Sequence, residues 1–219
     1  MSGPPRRGAN GMGSLPGWAD LESAVPQITA TMRRYLTQIS CVLRPGSVNG
    51  IALSRMARLR RRGYASNTPT LTMAGPLNGE LNAEATVSAH TCNGFARVFA
   101  DPSFGHEADA AERLAALARI PLPRGFALIR RDGQPAAVGA CAVEGEWAGI
   151  MGMRTAPAFR RQGLARRLFR TLTAFAASAG AIRAYLQVDQ DNASAIALYE
   201  AEGFESGYLY RYWDKAPQR

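Results

Sequence analysis

One stretch near the middle of the chain, GFALIRRDGQPAAVGACAVEGEWAGIMGMRTAP at 125–157, constrains the fold more than any other. Two turn signals divide it, Asp132-Gly133 and Glu144-Gly145-Glu146, and three apolar runs of strand length lie around them. Asp-Gly between apolar runs is a strong short-range hairpin signal, so the stretch predicts a three-strand antiparallel meander. Before it, GFARVFA at 94–100 and HEADAAERLAALARI at 106–120 read as helices, the second with Leu114, Leu117 and Ile120 in register. After it comes a helix over about 163–179, with Leu164, Leu168, Leu172, Phe175 and Ala179 on its apolar face. RAYLQVD at 183–189 reads as a strand, NASAIALYEAEG at 192–203 as a helix ended by Gly203, and GYLYRYW at 207–213 as a last strand. With a short strand at PTLTM, 69–73, the expected class is α/β with a mixed sheet.

The first third of the chain is different in kind. Residues 1–17 are rich in Gly, Pro and Ser and read as a disordered leader. Residues 18–66 read as a basic helical appendage, with Ile28, Met32, Tyr35, Leu36, Ile39 and Leu43 on one helical stripe that Pro45-Gly46 stops, and an Arg-rich helix over 51–62. The domain proper is then 67–219. The net charge of +9 is partitioned in the same way: ten arginines against Asp20 and Glu22 give +8 over residues 1–66, and the rest carries only +1. A nearly neutral domain lacks a phosphate-neutralising face, so nucleic acid is not an expected partner of the core. Cys41, Cys92 and Cys141 are far apart and, with His90 and His106, complete no metal pattern, so no metal is expected. Cys141, in the apolar run AAVGACAV, reads as a buried reduced thiol. No run reaches the ~18 apolar residues of a membrane span, and no secretory signal opens the chain. A cytoplasmic protein without membrane contact is the expectation. LRRRGYASNTPTLTM at 59–73 also aligns without gaps to YEAEGFESGYLYRYW at 199–213, each reading as helix end, glycine, aromatic, strand.

The most basic stretch is RRQGLARRL at 160–168, opened by Arg160 and Arg161. It follows a strand and opens a helix. A helix start offers unpaired backbone N–H groups and a dipole that favours an anion by ~0.3–1 kcal/mol. Gly163 and Ala165 leave those amides accessible, and Arg160 and Arg161 add charge-assisted donors at the rim. The pattern suits a compact polyphosphate, and a Walker loop is excluded because no Gly-Lys-Ser/Thr occurs. Arg166, Arg167 and Arg170 read mostly as an ordinary solvated helix face.

MRTAPAFRRQGLARRL resembles the signature loop of the GNAT superfamily of acyl-CoA-dependent N-acetyltransferases, R/Q-x-x-G-x-G/A. LQVDQDNASAIALYEAEGF at 186–204 is similar to that family's downstream strand-Asn-helix-Tyr-Gly-Phe block. The resemblance covers 94–213 and implies a splayed central sheet with acetyl-CoA as cosubstrate. It implies that residues 152–155 diverge from the strand holding Tyr185–Val188, and that backbone groups of the strand Met153-Arg154-Thr155 pair with the pantetheine arm. It implies further that Arg160, Arg161, Gln162, Gly163, Leu164 and Ala165 hold the pyrophosphate. Asn192 falls at the position that bonds the pantetheine or caps the helix, and Tyr199 at that of the tyrosine protonating the departing thiolate.

The implied reaction is direct attack of a neutral amine on the thioester. A glutamate on the strand before the loop is the family's common general base, and here the sequence departs from the pattern: counting back from Arg160 reaches Gly149. Glu146 is the candidate base, with Glu144 near it; plain turn residues and a water chain to backbone carbonyls are the alternatives. The acceptor is expected to be a small-molecule amine, and a homodimer is left open. Two other readings are acetylation of a protein N-terminus or lysine, and a nucleic-acid-associated protein with a CoA-sensing module. ITATMRRYLTQISCVLRPGS at 28–47 resembles the first helix of the N-terminal domain of tyrosine recombinases, but their catalytic Arg, His-x-x-Arg and Tyr set is missing.

Overall fold

A computed structural model describes residues 57–66, 68–104, 107–211 and 213–215. The expected leader, the helix over 26–43 and the recombinase-like segment lie outside these residues. The meander forms as expected, with β4 (Arg124–Arg131), β5 (Gln134–Glu144) and β6 (Trp147–Thr155) paired antiparallel in order. Both turns carry left-handed residues, Asp132 and Gly133 in the first and Gly145 in the second.

The apolar runs are nearly continuous because both faces of the meander are covered. On one face lie Ala127, Ile129, Ala137 and Cys141, packed against Leu164, Leu168, Phe169, Leu172 and Ala176 of helix α3 (Leu164–Ser178). On the other lie Phe126, Leu128, Val138 and Ala140, packed against Phe95, Val98 and Phe99 of helix α1 (Asn93–Phe99) and Leu117 of α2 (Glu107–Ala118). Residues alternate between the two clusters along each strand, so one residue of slip would exchange them. Each fully buried Leu or Phe contributes about 1.5–3 kcal/mol, and Phe95, Phe169, Leu168 and Leu172 are all essentially inaccessible.

The sheet has seven strands in the order β3-β4-β5-β6-β7-β2-β8, with β3 at Ala85–Ser88, β7 at Arg183–Asp189, β2 at Thr70–Pro76 and β8 at Glu205–Tyr210. Among the described strands only β6 and β7 pair in parallel, with α3 as the crossover between them. Helix α4 (Ala193–Ala201) follows β7. The expected last strand over 207–213 is two: β8 ends at Tyr210, and β9 (Trp213–Lys215) pairs with β1 (Tyr64–Ser66) in a separate two-stranded sheet. Arg60 lies over the buried Trp213 ring at 5.8 Å. These contacts cross the compositional boundary at 66/67.

The two echoing segments adopt the same helix end. Arg62 N donates to Arg58 O at 3.2 Å and Gly63 N to Arg60 O at 3.0 Å; Glu202 N donates to Leu198 O at 3.2 Å and Gly203 N to Glu200 O at 3.0 Å. Two strands follow each cap, and they pair crosswise, β1 with β9 and β2 with β8.

Candidate active site

The site begins where the sheet divides. β6 and β7 share four registered pairs, Trp147↔Arg183 to Ile150↔Leu186. Beyond Ile150, β6 runs on to Thr155 beside β5 alone, and β7 runs on beside β2. The divergence has a local cause. The β5–β6 register shifts between Val138 and Ala140, which face Arg154 and Met151, so Gly152 and Met153 bulge opposite a single residue. Gly152 has φ +63, and a Cβ there would stand 2.9 Å from Phe99 Cε2, so both backbone and space require glycine.

The gap opens onto the N-terminus of α3. Pro157–Phe159 forms a single 3₁₀ turn, and Arg161 (φ 62) and Gly163 (φ 73) then both take left-handed conformations. Left-handed residues in such a turn reverse the direction of neighbouring amides and aim them toward one side of the loop. Arg167 N donates to Gly163 O at 3.2 Å, closing the first turn, so the N–H groups of Leu164, Ala165 and Arg166 precede the helical ladder. Nothing lies within 4 Å of a Cβ placed on Gly163. A 15-residue helix ends its dipole here.

Together these elements wall a cleft of about 840 Å³. Of the residues singled out from sequence, it brings together Met153, Arg154, Thr155, Arg160, Arg161, Gly163, Leu164, Ala165, Asn192 and Tyr199. Gln162 is exposed on the loop and is not among the lining residues. Glu146 is not brought to the cleft. It sits exposed in the β5–β6 turn, where its carbonyl accepts from Ile182 N and Arg183 N. At ~3.3 Å per residue, the nine steps along β6 place it roughly 30 Å from Thr155. Counting along the strand also hid what faces Gly149: a Cβ there would meet Tyr185 Oη at 2.7 Å, so a longer side chain has no room. No Asp, Glu or His occurs among the described residues lining the cleft.

Tyr199 lies in the last turn of α4, its ring 5.2 Å from Phe169 and 6.4 Å from Phe204. Burial pushes its phenol up to about 12, so it carries its proton across the neutral range. Asn192 caps α4, its Oδ1 accepting from Ala195 N at 3.2 Å and from the Ser194 hydroxyl at 3.1 Å. Farther along α3 the arginines are tied down: Arg166 and Arg170 reach Glu202 at 3.0 and 2.8 Å, and Arg167 reaches Glu84 at 2.8 Å.

Sequence reading missed the aromatic wall. Phe104, in the 3₁₀ turn Pro102–Phe104, lies under two guanidinium groups, Arg154 at 4.9 Å and Arg160 at 5.3 Å. Arg154 also lies over Phe99 at 4.2 Å and donates to Phe99 O. Arg160 Nε donates to Thr155 O at 3.3 Å. Asp101 is held below the usual carboxylate range, first by hydrogen bonds from Ser103 and then by Arg160 and Arg154. No periodicity marks a one-turn element such as Pro102–Phe104; Pro102 is its only local signal.

Residues 93–204 match a family model described as the Acetyltransferase (GNAT) family. No curated protein matches the sequence. Among solved structures the chain is similar to a GCN5-related N-acetyltransferase from Kribbella flavida, at 23% identity and a TM-score of 0.55, over 90% of this chain and 77% of that one. It is similar to a GNAT-family acetyltransferase from Colwellia psychrerythraea, at 15% identity and a TM-score of 0.56, over 90% and 74% of the two chains. A GNAT-family protein from Novosphingobium aromaticivorans matches at 24% identity and a TM-score of 0.51, over 69% of this chain and 66% of that one. This chain thus spans just under two thirds of that relative. These likenesses show a shared fold. The family model spans 112 of 219 residues, over half the chain, and the protein is a member of the GNAT acetyltransferase family.

Proposed function

We propose that the chain moves an acetyl group from acetyl-CoA to a primary amine of a small molecule, by direct attack and without a covalent enzyme intermediate. The observation that carries this reading is the gap between β6 and β7, which opens onto the N-terminus of α3 with Tyr199 in the cleft wall. A cleft of about 840 Å³ is within the ordinary range for a ligand of this size. The residues present fit such a cosubstrate. The free edge of Met153–Thr155 accepts an amide-bearing arm as an added strand. The N–H groups of Leu164, Ala165 and Arg166, with Arg160 and Arg161, take the diphosphate.

Chemically, the thioester supplies an activated acyl group. The amine nitrogen bonds to its carbon, the C–S bond breaks, and the Tyr199 phenol gives its proton to the departing thiolate. A phenol raised to about 12 does not lose that proton to solvent beforehand. The amine sheds its own proton to solvent water, and the Tyr199 phenolate takes one back from solvent, so the phenol is restored for the next turnover. The arginines of the cleft assist the amine's loss, since neighbouring positive charge disfavours an ammonium.

The test is an acceptor panel incubated with acetyl-CoA and read by thiol release, with small amines and a lysine-containing peptide side by side. Turnover confined to small amines is expected. Turnover confined to the peptide would move the chain to protein acetylation, and no binding of acetyl-CoA by calorimetry would refute the reading.

A further inference from the structure

Arg154 differs from the other cationic groups of the cleft in being carried by β6, although it shares the Phe104 ring and the Asp101 carboxylate with Arg160. Along β6, Met153 points to the α3 face, since its Sδ would lie 2.6 Å from a Cβ on Gly139 beside Leu172 and Leu168. Arg154 points to the opposite face, toward α1, where Phe99 and Phe104 close on its guanidinium. Arg160, Arg161 and Arg166 flank the N-terminus of α3, where a diphosphate binds on the reading above. Arg154 flanks the bulge at Gly152, where the gap begins.

One donor of Arg154 goes to Phe99 O. A guanidinium held by ring faces keeps its remaining N–H groups in its own plane, where they can fork onto a carboxylate. Arg154 is half-buried, Arg113 on α2 acts on it with like charge, and among the described residues Asp101 opposes it while also facing Arg160. The local charge is net positive and suits an anionic group, and the planar fork of the guanidinium matches a carboxylate.

We propose that Arg154 is the receptor for a carboxylate on the acceptor, so that the substrate class is an amino acid or a similar amino-carboxylate rather than a simple amine or polyamine. This inference rests on the acetyl-transfer reading and deepens it. The described lining carries arginines and no carboxylate, and the nearby Asp101 and Glu202 already face those arginines, so a polycationic acceptor meets net positive charge.

The experiment compares kcat/KM for standard amino acids, each beside its own α-amide, with spermidine included, in the full chain, Arg154→Gln and Arg154→Lys. Arg154→Gln removes the charge and the fork and shortens the side chain while leaving it polar, and Arg154→Lys keeps the charge without the fork. At least one amino acid is expected to exceed its amide by about tenfold or more, which is ~1.4 kcal/mol. That ratio should collapse toward one in Arg154→Gln and fall part-way in Arg154→Lys; because acid and amide share the same cosubstrate, the ratio reads the acceptor contact even if the KM for acetyl-CoA moves. Loss of a merely structural contact would lower both acceptors equally and leave the ratio intact, which would overturn the proposal. So would preference for amides or for spermidine in the wild type. A second readout needs no turnover: calorimetry of N-acetyl amino acids against their methyl esters, in the CoA-loaded protein. No preference for the free acid overturns the proposal even in an active enzyme, whereas failure to bind acetyl-CoA at all sinks the underlying reading.

Discussion

Replacing Gly163 with leucine separates the role of the loop in binding from its role in the fold. Gly163 sits at φ +73 with nothing within 4 Å of its missing Cβ, so a leucine there clashes with no atom of the protein. It meets two other costs. The left-handed backbone costs about 1–2 kcal/mol, partly offset by the lower entropy of the unfolded chain. A net loss near 1 kcal/mol corresponds to roughly 2–4 °C in Tm for a chain of this size. The side chain also fills the space in front of Leu164, Ala165 and Arg166, whose N–H groups precede the helical ladder. Hydrogen bonds to a charged group are worth ~1.5–3 kcal/mol each, so losing two weakens acetyl-CoA binding by about 10²–10⁴. Gly180, at the far end of α3, provides the control, with φ +97 and equally open surroundings. Gly180→Leu should show the same thermal loss and wild-type affinity. Calorimetry and a melting curve on both variants decide the matter. A folded Gly163→Leu protein that binds acetyl-CoA as tightly as the wild type would refute the cradle.

Tyr199→Phe retains the ring against Phe169 and Phe204, so acetyl-CoA affinity should hold while kcat falls ~10²–10⁴; wild-type turnover, with chemistry rate-limiting, would remove the phenol from the mechanism. Asn192→Ala should cost about 1 kcal/mol through the lost cap, whereas Asn192→Asp keeps the acceptor for Ala195 N, so a weaker acetyl-CoA affinity at unchanged Tm would assign the amide donor to the cosubstrate. Burial raises both Tyr199 and Cys141 to about 12, from ordinary values of 10.0 and 9.0. The folded state therefore holds these protons more tightly than the unfolded chain. Their contribution is intact below about pH 9 and is lost as pH rises toward 12, by a few kcal/mol in all. Urea midpoints that stay constant from about pH 8 to pH 11 would contradict this.

The parts legible in the sequence are those whose causes are local. RAYLQVD matches β7 to the residue, and the loop glycine matches Gly163, because strand patterning and a left-handed turn are written in neighbouring residues. Strand β3 carries only the short run ATVS and owes its existence to pairing with β4, a contact some forty residues away. Glu146 lies away from the cleft for a related reason: distance along a strand decides which residues share a site, and both ends of β6 look alike in sequence. The partners of Arg154 come from α1 and a 3₁₀ turn about fifty residues earlier, so no spacing rule announces them.

Strand β2 lies between β7 and β8, antiparallel to both, yet it is made far earlier than either. From Pro76 to Arg183 the ribosome must add 107 residues, which takes roughly 5–20 s at ~5–20 residues per second. Throughout that interval Leu71 and Met73 belong to a strand with neither neighbour, while the meander and α3 can already condense. Synthesis of β7, rather than collapse of the middle of the chain, therefore sets when the gap beside β6 first acquires its second wall. Premature termination anywhere before β7 would release a half-sheet with an open β6 edge, a species that quality control has to recognise by its exposed ladder.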